Sequence, residues 1–164
     1  MRRSMLALVL AAAAAALAGR AEAQVSRVGA PTAAIARAVT VPAGAEMIYV
    51  SGITAQPADP ARPTELGDTR AQTLSILRQI DDILRAQGFT LGDVVMMRVY
   101  LVGDPAKGGR MDFAGMMDAY GQFFGAPNQP SKPARVTVQV ASLVGPAMLA
   151  EIEVQAARIV EPPR

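Results

Sequence analysis

Two short runs near the C-terminus constrain the fold more than any other feature of the chain. Lys132-Pro133-Ala134-Arg135-Val136-Thr137-Val138-Gln139-Val140 and Glu151-Ile152-Glu153-Val154-Gln155-Ala156 both alternate apolar with polar residues. A period of two is the signature of half-buried strands. In the first run Val136, Val138 and Val140 share one face, and Arg135, Thr137 and Gln139 take the other. In the second, Ile152 and Val154 alternate with Glu151, Glu153 and Gln155. The link Ser142-Leu143-Val144-Gly145-Pro146 is short enough to predict an antiparallel hairpin between them. An arginine at the mouth of a rigid strand, near an acid from its neighbour, can grip a carboxylate through two parallel hydrogen bonds. The same spacing also describes a solvated strand face with a surface ion pair.

The 164 residues suffice for one domain with a sizeable core. The first 23 read differently. Arg2 and Arg3 precede an apolar run from Met5 to Ala18, and Ala21-Glu22-Ala23 follows before Gln24. A basic start, a short uncharged apolar run and an A-x-A site describe a secretory signal peptide. The run is too short for a bilayer, which needs about 20 residues. The expected division is therefore a signal peptide over 1–23, cleaved after Ala23, and a single domain over 24–164. The Arg-Arg pair lacks the rest of a twin-arginine motif, which favours the general secretory route and a periplasmic or secreted product with no membrane anchor.

Cleavage would remove three cations and one anion, bringing the formal charge from +2 to zero. A neutral surface offers no electrostatic footprint for nucleic acid. The chain has no cysteine and no histidine. That excludes disulfides, a thiol nucleophile and thiolate metal sites, and removes the usual neutral-pH base and commonest zinc ligand. Chemistry here must run on arginine, carboxylates, hydroxyls, backbone groups and water.

In chain order, Gln24 to Ala34 reads as a loose arm. Ala38-Val39-Thr40-Val41 and Met47-Ile48-Tyr49-Val50 flank Pro42-Ala43-Gly44-Ala45 and predict a hairpin. Ser51-Gly52 ends the second strand, where glycine commonly permits close approach of another segment or a ligand. Three prolines make Gln56 to Leu66 an irregular loop. Thr69-Arg70-Ala71-Gln72 fits a capping box opening a helix to about Gln87, with Leu74, Leu77, Ile80, Ile83 and Leu84 as its core stripe and Gly88 just past its end. Val94 to Val102 is an apolar strand. A second helix starts near Asp112, with Phe113, Met116, Met117, Tyr120 and Phe124 along one face as core packing, and ends at Gly125. The order ββαβαββ predicts an α+β fold, a mixed sheet with two helices on one face. Its other face would be partly apolar and calls for a partner subunit.

Taken together, Ile48-Tyr49-Val50-Ser51-Gly52, Gln72-Thr73, Asp93-Val94-Val95, Arg98-Val99-Tyr100-Leu101, Tyr120, Phe123-Phe124, Pro133-Ala134-Arg135-Val136 and Glu151-Ile152-Glu153 resemble the RidA (YjgF) family. The resemblance runs from about Ala34 to Arg158. It implies a chorismate-mutase-like fold, a homotrimer with active sites at subunit clefts, and hydrolysis of 2-imino acids and their enamine tautomers to 2-keto acids and ammonia. It implies no cofactor and no metal.

Carried over residue by residue, Arg135 matches the arginine that binds the substrate carboxylate. Glu151 matches the glutamate that directs water or manages a proton. Ser51, Gly52 and Thr137 match pocket-lining positions. Such chemistry suits this composition, because a protonated imine carbon is already electrophilic and needs only positioning and an oriented water. Two positions depart from the pattern: Ala38 stands where the family has a pocket tyrosine, and Met117 where it has an asparagine. The pocket expected here is roomier and less polar. Two other readings compete with the deaminase. A non-catalytic carboxylate-binding trimer would keep Arg135 without needing Glu151. Endoribonuclease activity is opposed by the neutral charge and the missing histidine.

Overall fold

The computed structural model describes residues 24–160, so the expected leader and its cleavage site lie outside the described residues. The chain runs through β1 (Ser26–Val28), β2 (Ala38–Thr40), β3 (Glu46–Thr54), α1 (Thr69–Ala86), β4 (Val94–Val102), α2 (Phe113–Tyr120), β5 (Ala134–Val140) and β6 (Ala150–Arg158). Four strands form a mixed sheet in the order β3-β6-β4-β5, and β1 and β2 form a separate antiparallel pair. The α+β fold expected from the sequence is present, with one additional strand at its start.

Two pairings differ from expectation. β5 and β6 do not form a hairpin: β6 lies between β3 and β4, antiparallel to both, while β5 runs parallel to β4 at the sheet edge. The reason is burial. Ile152, Val154 and Ala156 of β6 are each no more than 2% exposed, a burial that a central position gives and an edge would not. β5 is instead reached from β4 through α2, and a helical crossover is what a parallel pair requires. Nor do β2 and β3 pair. β2 takes β1 as its partner, with Ser26 opposite Thr40 and Val28 opposite Ala38. The arm expected to be loose is thus tied down, and Arg27 fastens it further by donating to the carbonyls of Gly92 (2.8 Å) and Val94 (3.2 Å).

α1 is capped by Asp68, one residue before the expected box, whose carboxylate accepts from the Ala71 N–H at 2.8 Å. Gln72 is buried instead of capping. Its amide donates to the carbonyls of Gly67 and Ala147 and accepts from the Leu149 N–H, tying the helix to the segment before β6. The buried stripe of α1 is Ile76, Leu77, Ile80 and Leu84, while Ile83 is exposed. With Met97, Val99 and Leu101 of β4 and Met116 and Tyr120 of α2, these residues form one core between the helices and one sheet face. Gly88, at φ 74°, follows α1 in the left-handed conformation that helix ends favour. No helix among the described residues is long and apolar enough to cross a membrane.

Candidate functional site

β5 is built inside out. Its register places Arg135 beside Met97 and Thr137 beside Val99 of β4. Met97 and Val99 are buried beneath the helices, so the polar row of β5 is the one on the helix side. The valines face away, and Val136 and Val138 stay 42% and 40% exposed. Half-buried Arg135 and Thr137 opposite more exposed valines reverse the ordinary pattern, and such reversals mark functional surfaces.

Arg135 is half-buried against α2. Its guanidinium carbon lies 4.4 Å from the centroid of the Tyr120 ring and 5.9 Å from that of Phe113. Nη2 donates to Met117 Sδ at 3.2 Å, and Nη1 lies 4.0 Å from Met116 Sδ. A thioether is a weak acceptor, and no carboxylate among the described residues pairs with this cation. Burial lowers the Arg135 pKa from its ordinary value, with Tyr120 acting in the opposite direction; the group remains a cation at physiological pH. Tyr120 is itself fixed, its hydroxyl donating to the Ala34 carbonyl at 3.0 Å. Burial pushes the Tyr120 phenol up to about 12, partly opposed by the charge of Arg135.

Thr137 lies two residues along the same row, roughly 6–7 Å from Arg135 by strand rise. Its hydroxyl oxygen is buried without a hydrogen-bond partner. Gln139, next in the row, is occupied: it accepts from the Met111 N–H and donates to the Gly109 carbonyl, holding the loop before α2. Among the described residues, a guanidinium without a carboxylate partner and a hydroxyl without a hydrogen-bond partner therefore share one half-buried strand face, a binding arrangement for an anionic group carrying an adjacent polar atom.

The other three expected residues gather elsewhere. Ser51 and Gly52 sit in the irregular step where β3 shifts register against β6 between Val50 and Ile53. Glu151 pairs across with Thr54 on one side and Tyr100 on the other. Its carboxylate lies over Gly52 so closely that any side chain there would strike it. Glu151 makes no ion pair among the described residues, whereas its neighbour Glu153 accepts from Arg98 at 2.7 Å.

Within one chain Arg135 and Glu151 are not brought together. β5 and β6 are two strands apart, roughly 10 Å. Arg135 is in register with buried Met97 and Glu151 with Tyr100, three residues on, so they emerge from opposite faces of the sheet. The expected proximity of arginine and acid rested on the hairpin that does not form. Ala38 is exposed on β2 and Met117 stands beside Arg135. The helical spacing assigned Phe113, Met116 and Tyr120 to the core alone, while the resemblance placed Met117 at a pocket position. Met116 and Tyr120 are buried there, yet all four also surround the guanidinium, and their helical spacing opposite a strand arginine was the available signal.

Residues 29–158 match the family described as Endoribonuclease L-PSP. The chain belongs to that family, also called Rid or YjgF. It is 42% identical over 77 residues to a RutC family protein of Pyrococcus horikoshii, covering 47% of this chain and 53% of that protein. It thus spans about half the length of that curated relative. Among solved structures it is similar to a Rid family protein of unknown function from Yersinia pestis, with a TM-score of 0.64 and 25% identity over 82% of this chain and 98% of that one. It is also similar to RidA from the Antarctic bacterium Psychrobacter, with a TM-score of 0.54 and 28% identity over 85% of this chain and 100% of that one.

Proposed function

We propose that this Rid family chain hydrolyses 2-imino acids and their enamine tautomers to 2-keto acids and ammonia. The observation that carries the reading is the half-buried Arg135 guanidinium, which has no carboxylate partner among the described residues, set in one row with the unpaired Thr137 hydroxyl. A cation held in an apolar wall without a counter-charge is set up for an anion supplied from outside. Arg135 takes the substrate carboxylate and Thr137 hydrogen-bonds the adjacent polar atom. Water adds to the protonated C=N carbon, giving a carbinolamine that expels ammonia as the C=O bond forms. Glu151 orients that water and accepts its proton.

Because Arg135 and Glu151 leave opposite faces of one sheet, the reading requires a second copy to bring the acid to the cation. We therefore propose a homotrimer with the site in the cleft between neighbouring copies. Exposed Tyr49, Val136 and Val138 on the helix-free face supply apolar contact surface for it. The leader pattern over residues 1–23 supports a periplasmic or secreted setting, and the native N-terminus tests this: Gln24 is expected, and an intact Met1 refutes it.

The decisive experiment adds purified protein to freshly generated imines and follows keto-acid release. Release well above the spontaneous rate, lost in Arg135→Ala, is expected. A wild-type rate equal to spontaneous hydrolysis ends the deaminase reading. A non-catalytic carboxylate-binding trimer is the second reading, favoured by the thioethers around Arg135; keto-acid binding without turnover would establish it.

A further inference from the structure

We infer that Met117, with Phe113, makes this site selective for substrates with large apolar side chains. The inference rests on Arg135 being the carboxylate clamp and extends that reading to the rest of the substrate. A carboxylate that takes the Nη2 N–H now directed at Met117 Sδ at 3.2 Å displaces that thioether. The exchange costs little, because a thioether is a weak acceptor and methionine has three rotatable bonds with which to turn aside.

The new position of the methionine sets the selectivity. Met116 is fully buried beneath the guanidinium and cannot make room, whereas Met117 is partly exposed and Phe113 is 44% exposed. Phe113, Met116, Met117 and Tyr120 fall at helical spacing on the face of α2 turned toward Arg135, so the displaced thioether stays within an apolar rim. The substrate carbon next to the carboxylate projects its side chain past that rim. An aliphatic or aromatic side chain removes Met117 and Phe113 from water there. A carboxylate or amide side chain would be desolvated against sulfur and an aromatic ring with no hydrogen-bond partner. Methionine adapts its shape, so the class is broad among apolar side chains.

The test uses stable keto acids as probes, since their binding is readable whether or not turnover occurs. Calorimetry on the wild-type protein compares 4-methyl-2-oxopentanoate and phenylpyruvate with pyruvate and 2-oxoglutarate. The two apolar acids are expected to bind at least roughly tenfold more tightly, within the about 10- to 200-fold that hydrophobic pockets achieve. Met117→Asn should bring the four within about threefold of one another by removing that apolar contact, while Met117→Leu retains the preference. Equal affinities in the wild type, or a preference unchanged in Met117→Asn, would overturn the inference. Neither result touches the deaminase reading, which stands or falls on turnover and on Arg135→Ala.

Discussion

The Arg135 guanidinium lies over the ring of Tyr120, its carbon 4.4 Å from the ring centroid, and the Tyr120 hydroxyl is tied to the Ala34 carbonyl at 3.0 Å. The guanidinium is thus mounted on a fixed aromatic platform. The platform is fixed by the segment leading into β2, which also meets β5 where the Ala36 N–H donates to the Pro133 carbonyl. A flexible cation loses rotamer freedom when it captures an anion; one already stacked loses less.

Arg135→Ala should therefore remove activity without removing the fold. Loss of a charge-assisted pair is worth about 1.5–3 kcal/mol, or roughly ten- to a hundredfold, with misorientation adding to it. The stacking lost with Tyr120 is worth about 0.5–2 kcal/mol and is offset by relief of a buried charge, so thermal unfolding should move little. Arg135→Lys should also fail largely, since an ammonium cannot reproduce the planar fork. Parallel turnover and melting measurements check this. A stable Arg135→Ala variant with unchanged turnover would end the assignment.

The Tyr120 phenol gives a pH signature. Its pKa is raised from 10.0 to about 12, so the unfolded chain releases this proton first as pH rises. The contribution to stability is complete below pH 10 and is lost as pH climbs from 10 to 12, reaching on the order of 2–3 kcal/mol. Tyr120→Phe keeps the platform, costs about 0.5–1.5 kcal/mol for the lost hydrogen bond, and removes the latest step from the tyrosinate absorbance titration. A late step that survives in Tyr120→Phe would show that another group titrates there.

The sequence made some of this legible and withheld the rest for physical reasons. Both helices and β4 were readable from period and end signals such as Gly88 and Asp112, but α2 stops at Tyr120 with Gly121 as its cap, short of the expected Gly125. Pairing was not, because alternation tells which residues share a face and says nothing of which strand lies alongside. β1 has three residues, too few to show a period. At the site, Arg135 and Thr137 stood out as a polar row, but strand alternation implies that the valine row is the buried one. The reverse holds in one chain because that side of β5 meets the Met116, Met117 and Tyr120 face of α2, where the guanidinium is held. Met116 and Tyr120 hid the site by being core residues as well.

The exposed valine row carries its own prediction. Val138→Asp puts a charge on the edge strand of a face that the trimer reading buries, and an unpaired buried charge is strongly unfavourable. Light scattering should find about three subunit masses for the wild type and one for Val138→Asp, with imine hydrolysis lost alongside. A Val138→Asp protein that stays trimeric would place the contact elsewhere, and a monomeric wild type would remove the cleft.

Gly52 should act through Glu151 alone. Its φ lies outside the left-handed region, so alanine is allowed by backbone conformation and is excluded only by the Glu151 carboxylate above it. The end of a partly exposed glutamate can swing aside, so Gly52→Ala should fold and melt within about 1 kcal/mol of the wild type. The swing nevertheless moves the carboxylate from its position, and misplacing a catalytic group by an ångström costs up to about a hundredfold. Glu151→Ala should lower turnover by about 10²–10⁴, the usual contribution of a positioned acid or base. The two losses should not multiply. In the Glu151→Ala background nothing remains for the new methyl to strike, so Gly52→Ala should change little, a coupling of about 1–3 kcal/mol in the double-mutant cycle. If the effects multiply instead, Gly52 serves the site directly, and its closeness to Glu151 is incidental to catalysis.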